Sequence, residues 1–144
     1  MHLVRLAGWF LLLACVALIL GATLGQTATG LHTVNLRPGR SVWLELHDVG
    51  PRIGLVNVVG NVALFVPLGI LLVATLGDSV RRATIGGALL SATIECFQYR
   101  IGRAADIDDV LLNATGTLVG GAVAVIAAWA WKWLGRLSTW FGLR

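Results

Sequence analysis

Charge is what this sequence has least of. Of its 144 residues only 12% are Asp, Glu, Lys or Arg, where a soluble domain carries about 25%. A water-facing surface cannot be built from so few charges. With 57% hydrophobic residues and a mean hydropathy of +0.83, the chain reads as a membrane protein. Cysteine is scarce as well. Cys15 and Cys96 each sit inside an apolar run, so neither a disulfide framework nor a metal knuckle is indicated. Leu12-Leu13-Ala14-Cys15 looks like a lipoprotein processing site, but the apolar run continues through it from Val16 to Leu24, as expected of an uncleaved span. Stretches that alternate apolar and polar residues are missing, which argues against a transmembrane barrel. Internal repeats and low-complexity tracts are missing too, which disfavours a carrier built from inverted repeats. No separate soluble domain fits beside three to five spans of about 20 residues each. Lysine is nearly absent: ten of the eleven basic residues are arginine. Arginine suits bidentate contacts to phosphate or carboxylate, although compositional bias produces the same excess. In a membrane protein the net charge of +4 reflects orientation and anionic headgroups, so nucleic acid is not expected as a partner.

What is present is a series of continuous apolar runs. Four spans are expected, at about 6–24, 58–76, 83–101 and 109–131, within a single domain covering 1–144. The second contains Asn61 and Pro67, the third Glu95 and Gln98, and the fourth ends in Trp129, Trp131, Lys132 and Trp133. The longest polar connection, 25–56, holds an Arg37-Pro38-Gly39-Arg40 turn. It also holds Val42-Trp43-Leu44-Glu45-Leu46, suited to a short interfacial helix or a re-entrant piece. Arg5, Arg81, Arg82, Lys132, Arg136 and Arg144 fall on one side of these spans, and Arg37, Arg40, Arg52, Arg100 and Arg103 on the other. The count is close, but the Arg81-Arg82 pair in a very short loop and the basic tail favour cytoplasmic termini and an extracytoplasmic loop 25–56.

Two polar stripes lie inside or beside these spans. Gly87, Ser91, Glu95 and Gln98 share one helix face, and a carboxylate there costs about 2.5 to 3.5 kcal/mol unless something holds it. A hydrogen-bonded glutamate that ties helices together is the structural alternative to a functional one. Asp106, Asp109, Asn113, Gly116 and Gly120 share a second face. Its Gly116-x-x-x-Gly120 half is a close-packing motif, and its upper half puts two carboxylates and an amide beside Arg100 and Arg103. Asp108 points elsewhere on the same turn. At 1.5 Å per residue Glu95 lies about 9 Å below the end of its span, Asn113 about 6 Å and Asn61 about 5 Å below theirs. Antiparallel neighbours therefore bring Asn61, Glu95, Gln98, Asp109 and Asn113 to one layer in the outer leaflet. The fold expected is an all-α bundle of four transmembrane helices with a polar pocket open to the outside.

Taken in order, Asn57-x-x-x-Asn61-x-x-x-Phe65-x-Pro67-x-Gly69, Ser91-x-x-x-Glu95-x-x-Gln98 and Arg103-x-x-Asp106-x-x-Asp109-x-x-x-Asn113-x-x-Gly116-x-x-x-Gly120 form a series across three spans. This series resembles the VanZ-like family, and Val34-Asn35-Leu36-Arg37-Pro38 looks like the proline-bearing segment that follows the first span there. Where the family pattern has an aromatic after that proline, this chain has Gly39. The resemblance covers about 34–121 and implies a bacterial inner-membrane protein of four or five spans, whose namesake is linked to teicoplanin resistance. It imports no mechanism.

With the residues, the resemblance suggests a cell-envelope protein that recognises or modifies a lipid-linked or anionic headgroup ligand. A cell-wall precursor or a glycopeptide antibiotic is an expected partner beside membrane lipids, and a homo-oligomer is compatible with the sequence. Catalytic roles are expected at Glu95, as general acid or base, and at Asp106 and Asp109. Asn61, Gln98, Arg100, Arg103 and Asn113 are expected to bind the ligand. Asp106 and Asp109 are also the expected holders of a divalent cation, an incomplete set without water or substrate. Ser91 is deeper than Glu95 and Cys96 points off the stripe, so no nucleophile arrangement is visible. A non-catalytic binder or a partner subunit remains the alternative.

Overall fold

The computed structural model describes residues 2–140 apart from Gln26, Ala28, Thr29, Leu31 and Asp78; for His2, Val4, Arg5 and Ser138 to Trp140 only the backbone is described. Arg144, Asp78 and the Arg5 side chain, which enter the charge count above, lie outside the described residues. Four long helices carry the chain: α1 (His2–Leu24), α3 (Pro51–Leu76), α4 (Val80–Arg100) and α5 (Ile107–Trp140). Among the described residues, Leu6–Leu24, Pro51–Leu76 and Ile107–Leu137 are long and apolar enough to cross a membrane. The protein is an all-helical, multi-pass membrane protein, and its only described strands are β1 (Val34–Asn35) and β2 (Ala105–Asp106), paired in parallel.

The largest differences from the sequence expectation are at the start of α3 and the end of α5. Helix α3 begins at Pro51 rather than near Val58, because proline lacks the N–H that a first-turn residue leaves unbonded, and Gly50 before it takes φ 133. The second half of the 25–56 connection is therefore helical: α2 (Arg40–Leu44) runs on into a π turn (Glu45–Val49), closed by Gly50 N–H donating to the Glu45 carbonyl at 3.0 Å. Helix α5 likewise starts at Ile107 and continues to Trp140, beyond the expected end near Trp131.

Glycines set the packing. A Cβ at Gly116 would collide with the Val62 carbonyl oxygen and one at Gly120 with that of Val66, while one at Gly69 would meet the Thr117 carbonyl. These contacts advance together along both chains, so α3 and α5 run parallel, backbone against backbone. Helix α4 runs antiparallel to α5, with Gly87 seated on the Thr117 side chain and Ser91 bonded to Asn113. Helix α1 meets the far end of α3 where Gly8 faces Thr75. The interior mixes Phe65, Ile19 and Ile94 with fully buried Ser91 and Thr117, while Phe10, Leu18, Leu89, Ile126 and Trp131 are exposed. Apolar surface of that extent is stable against acyl chains and not against water.

Candidate functional site

The chain reverses at the end of α4 through a glycine-capped motif. Gly102, at φ 82, donates its N–H to the Tyr99 carbonyl at 3.2 Å, and the Arg103 N–H reaches back to Gln98 at 2.9 Å. Arg103 is thereby turned over the helix end, where its guanidinium donates to the Thr23 carbonyl in the last turn of α1. Gln98 donates to the same carbonyl at 3.1 Å. Carbonyls at a helix C-terminus have no intrahelical partner, so two donors from α4 and its turn complete α1.

Around this junction lies a cavity of about 510 Å³, whose polar lining includes Glu45, Asn57, Asn61, Glu95, Gln98, Arg103, Asp109 and Asn113. Asn61 donates to Asp109 Oδ1 at 2.8 Å, and Asn57 donates to Glu45 Oε2 at 3.2 Å. Glu95, 7% exposed, accepts the Asp106 N–H on Oε2 at 2.7 Å. Asn113 donates to Ser91 Oγ at 2.8 Å, and its buried Oδ1 has no partner. Glu95 and Asp109 each keep one carboxylate oxygen without a described hydrogen bond, so either can accept or return a proton at the cavity wall.

The structure thus gathers Asn61, Glu95, Gln98, Arg103, Asp109 and Asn113 in one place. It puts Arg100 and Asp106 elsewhere. Both line a larger, mostly apolar groove of about 730 Å³ on the other side of Glu95, with Val34, Leu36, Cys96 and Tyr99. Arg100 stays on the face of α4 because the reversal comes after it. The Asp106 carboxylate accepts from Asn35 Nδ2 at 3.0 Å and from the Asp108 N–H at 2.9 Å, the bonding of a helix N-cap for α5. Asp106 and Asp109 therefore face different spaces rather than a shared cation, and among the described residues no group of three or more His, Cys, Asp or Glu could hold a metal ion.

Three residues outside the expected set matter. Glu45 and Asn57 face the cavity; Asn57 opens the spaced series noted in the sequence, whereas nothing local to Glu45 marks it. Asp108, 4% exposed, does point away from the polar stripe, but into the start of α2. Its carboxylate accepts the N–H groups of Gly39 and Ser41, the latter at 2.9 Å. Gly39, at φ 80, has no side chain to cap α2, and Asp108 supplies that cap from α5.

A family model described as VanZ/LLP1 matches residues 8–128, which takes in every polar residue of the cavity and groove. The chain belongs to the VanZ/LLP1 family. No curated protein and no solved structure matches it. The VanZ/LLP1 match runs from α1 into the second half of α5, so the cavity described above is built entirely from the family region.

Proposed function

We propose that this VanZ/LLP1 protein is a four-span protein of the bacterial cytoplasmic membrane that recognises or modifies a lipid-linked or headgroup-bearing ligand at the outer leaflet. The observation that carries the reading is the adjacency of a polar cavity and an apolar groove with Glu95 in the wall of both. A lipid needs both environments within one molecule's reach, and a soluble metabolite does not. The fourth span is α4. Its 21 residues reach about 32 Å at 1.5 Å per residue; it is less apolar than its neighbours because it carries Arg81, Arg82 and Arg100 at its ends and a polar stripe, Ser91, Glu95 and Gln98, that is turned inward and buried.

In the catalytic form of this proposal, Glu95 and Asp109 exchange a proton with the ligand while Arg100 and Arg103 meet its phosphate or carboxylate. A binding-only form is favoured by one observation: Ser, Cys, His and Tyr do not occur in the described cavity lining, and its one hydroxyl, that of Thr23, donates to the Ile19 carbonyl at 2.8 Å, which leaves no ready nucleophile other than the carboxylates. The cellular readout is susceptibility to teicoplanin-type glycopeptides and to envelope stress. Glu95→Gln and Asp109→Asn keep shape and most hydrogen bonds, so membrane abundance should hold while the protective phenotype is lost. Full activity in both variants at normal abundance would reduce the polar layer to scaffolding.

A further inference from the structure

Apart from Arg103, whose guanidinium reaches the Thr23 carbonyl, the polar side chains lining the cavity turn mostly acceptors toward it. Its four amide side chains, Asn57, Asn61, Gln98 and Asn113, all direct their nitrogens into protein: to Glu45, Asp109, the Thr23 carbonyl and Ser91. For the first three the orientation is forced, because a carboxylate or a carbonyl can only accept. None of the four amide oxygens has a described hydrogen bond, and that of Asn113, a residue 3% exposed, is fully buried without a partner. The oxygens of Asn57, Asn61 and Gln98, with the second carboxylate oxygens of Glu45, Glu95 and Asp109, leave the cavity wall with acceptors that a donating ligand can meet. Glu45, Glu95, Asp109 and Arg103 add a formal charge of −2 to the same lining.

We infer that the cavity takes a primary ammonium group. An ammonium brings three donors, no acceptor and one positive charge, which matches both imbalances at once. A sugar hydroxyl would satisfy the oxygens but leave the negative charge uncompensated, and the described residues lack a grouping that could hold a metal ion. This rests on the reading of the cavity as a headgroup site and narrows it: the headgroup carries an amine in addition to any phosphate met by the arginines. A free amine has the same chemistry, so the source is decided by experiment.

The test uses the full chain in nanodiscs and native mass spectrometry of retained lipid, with phosphatidylethanolamine, phosphatidylcholine and phosphatidylglycerol as probes, and free ethanolamine added to detergent-purified protein as a thermal stabiliser. Phosphatidylethanolamine should be retained about tenfold over the other two, because phosphatidylcholine keeps the charge but has no N–H and phosphatidylglycerol has no amine. Asp109→Asn and Glu45→Gln should each remove that preference; if the first fails to fold, the second, on the π turn, still decides. Stabilisation by free ethanolamine without lipid preference, lost in Glu45→Gln, would support the ammonium site and assign it to a free amine. Preferential retention of phosphatidylglycerol or equal retention of phosphatidylcholine would overturn the inference while leaving a headgroup site standing. Retention of none of the lipids, with no effect of ethanolamine, would overturn both.

Discussion

Gly102 decides where two arginines go. With only Ile101 and Gly102 between them, Arg100 and Arg103 look like a single anion clamp, yet the positive φ at Gly102 sends one to the cavity and leaves the other on the groove. Arg103→Lys should therefore impair function, since lysine offers a point charge where a planar fork reaches the Thr23 carbonyl; the Arg100 side chain on the groove has no described hydrogen bond and can meet an anionic group as a charge alone, so Arg100→Lys should be tolerated. Paired susceptibility measurements check this, and equal tolerance of both would count against the placement. Gly102→Ala puts a Cβ at a left-handed position, and thermal unfolding in detergent should show a loss of about 1 kcal/mol. The polar layer of Asn61, Glu95, Gln98, Asp109 and Asn113 was legible from residue spacing and rise alone. The separation of Arg100 from Arg103 was not, because it depends on one backbone angle. The role of Asp108 was hidden for a different reason: its partners, Gly39 and Ser41, lie in a distant part of the chain.

Helices α3 and α5 touch through their backbones, so side chains added there have nowhere to go. Gly116→Leu and Gly120→Leu should each force the pair apart, with overpacking of about 1–3 kcal/mol or more and a fall in membrane abundance. Wild-type abundance and thermal stability of both variants would mean that this face looks at lipid. The short helix α2 depends on a partner it does not carry itself. Asp108→Ala removes its cap at a cost of about 1–2 kcal/mol, and hydrogen exchange should quicken across 39–49 while the centres of α3 and α5 stay protected. The Gly116-x-x-x-Gly120 motif announces close packing in the sequence, and Asn57 and Asn61 announce a polar face. The start of α3 at Pro51 was missed because hydropathy reports where a helix enters lipid, while proline and Gly50 report where the helix itself begins.

For the whole molecule, the four-span reading proposed above predicts that both termini lie on one side, in the cytoplasm by the Arg81-Arg82 loop and the basic tail. Single cysteines at Ser79 and Ala104, in a background without Cys15 and Cys96, separate the alternatives: an impermeant reagent applied to intact cells should label position 104 and spare position 79. The reverse pattern would move the cavity to the cytoplasmic face. The parallel pairing of Val34 with Ala105 and of Asn35 with Asp106 joins two segments from opposite halves of the chain, as does the capping of α2 by Asp108. Neither fastening can close while only the first three long helices have left the ribosome. The wall of the groove must wait, half-finished and without its partner strand, until the start of α5 has emerged; a chain stalled before residue 105 has helices but lacks Asp109 and Asn113, and so has no complete site.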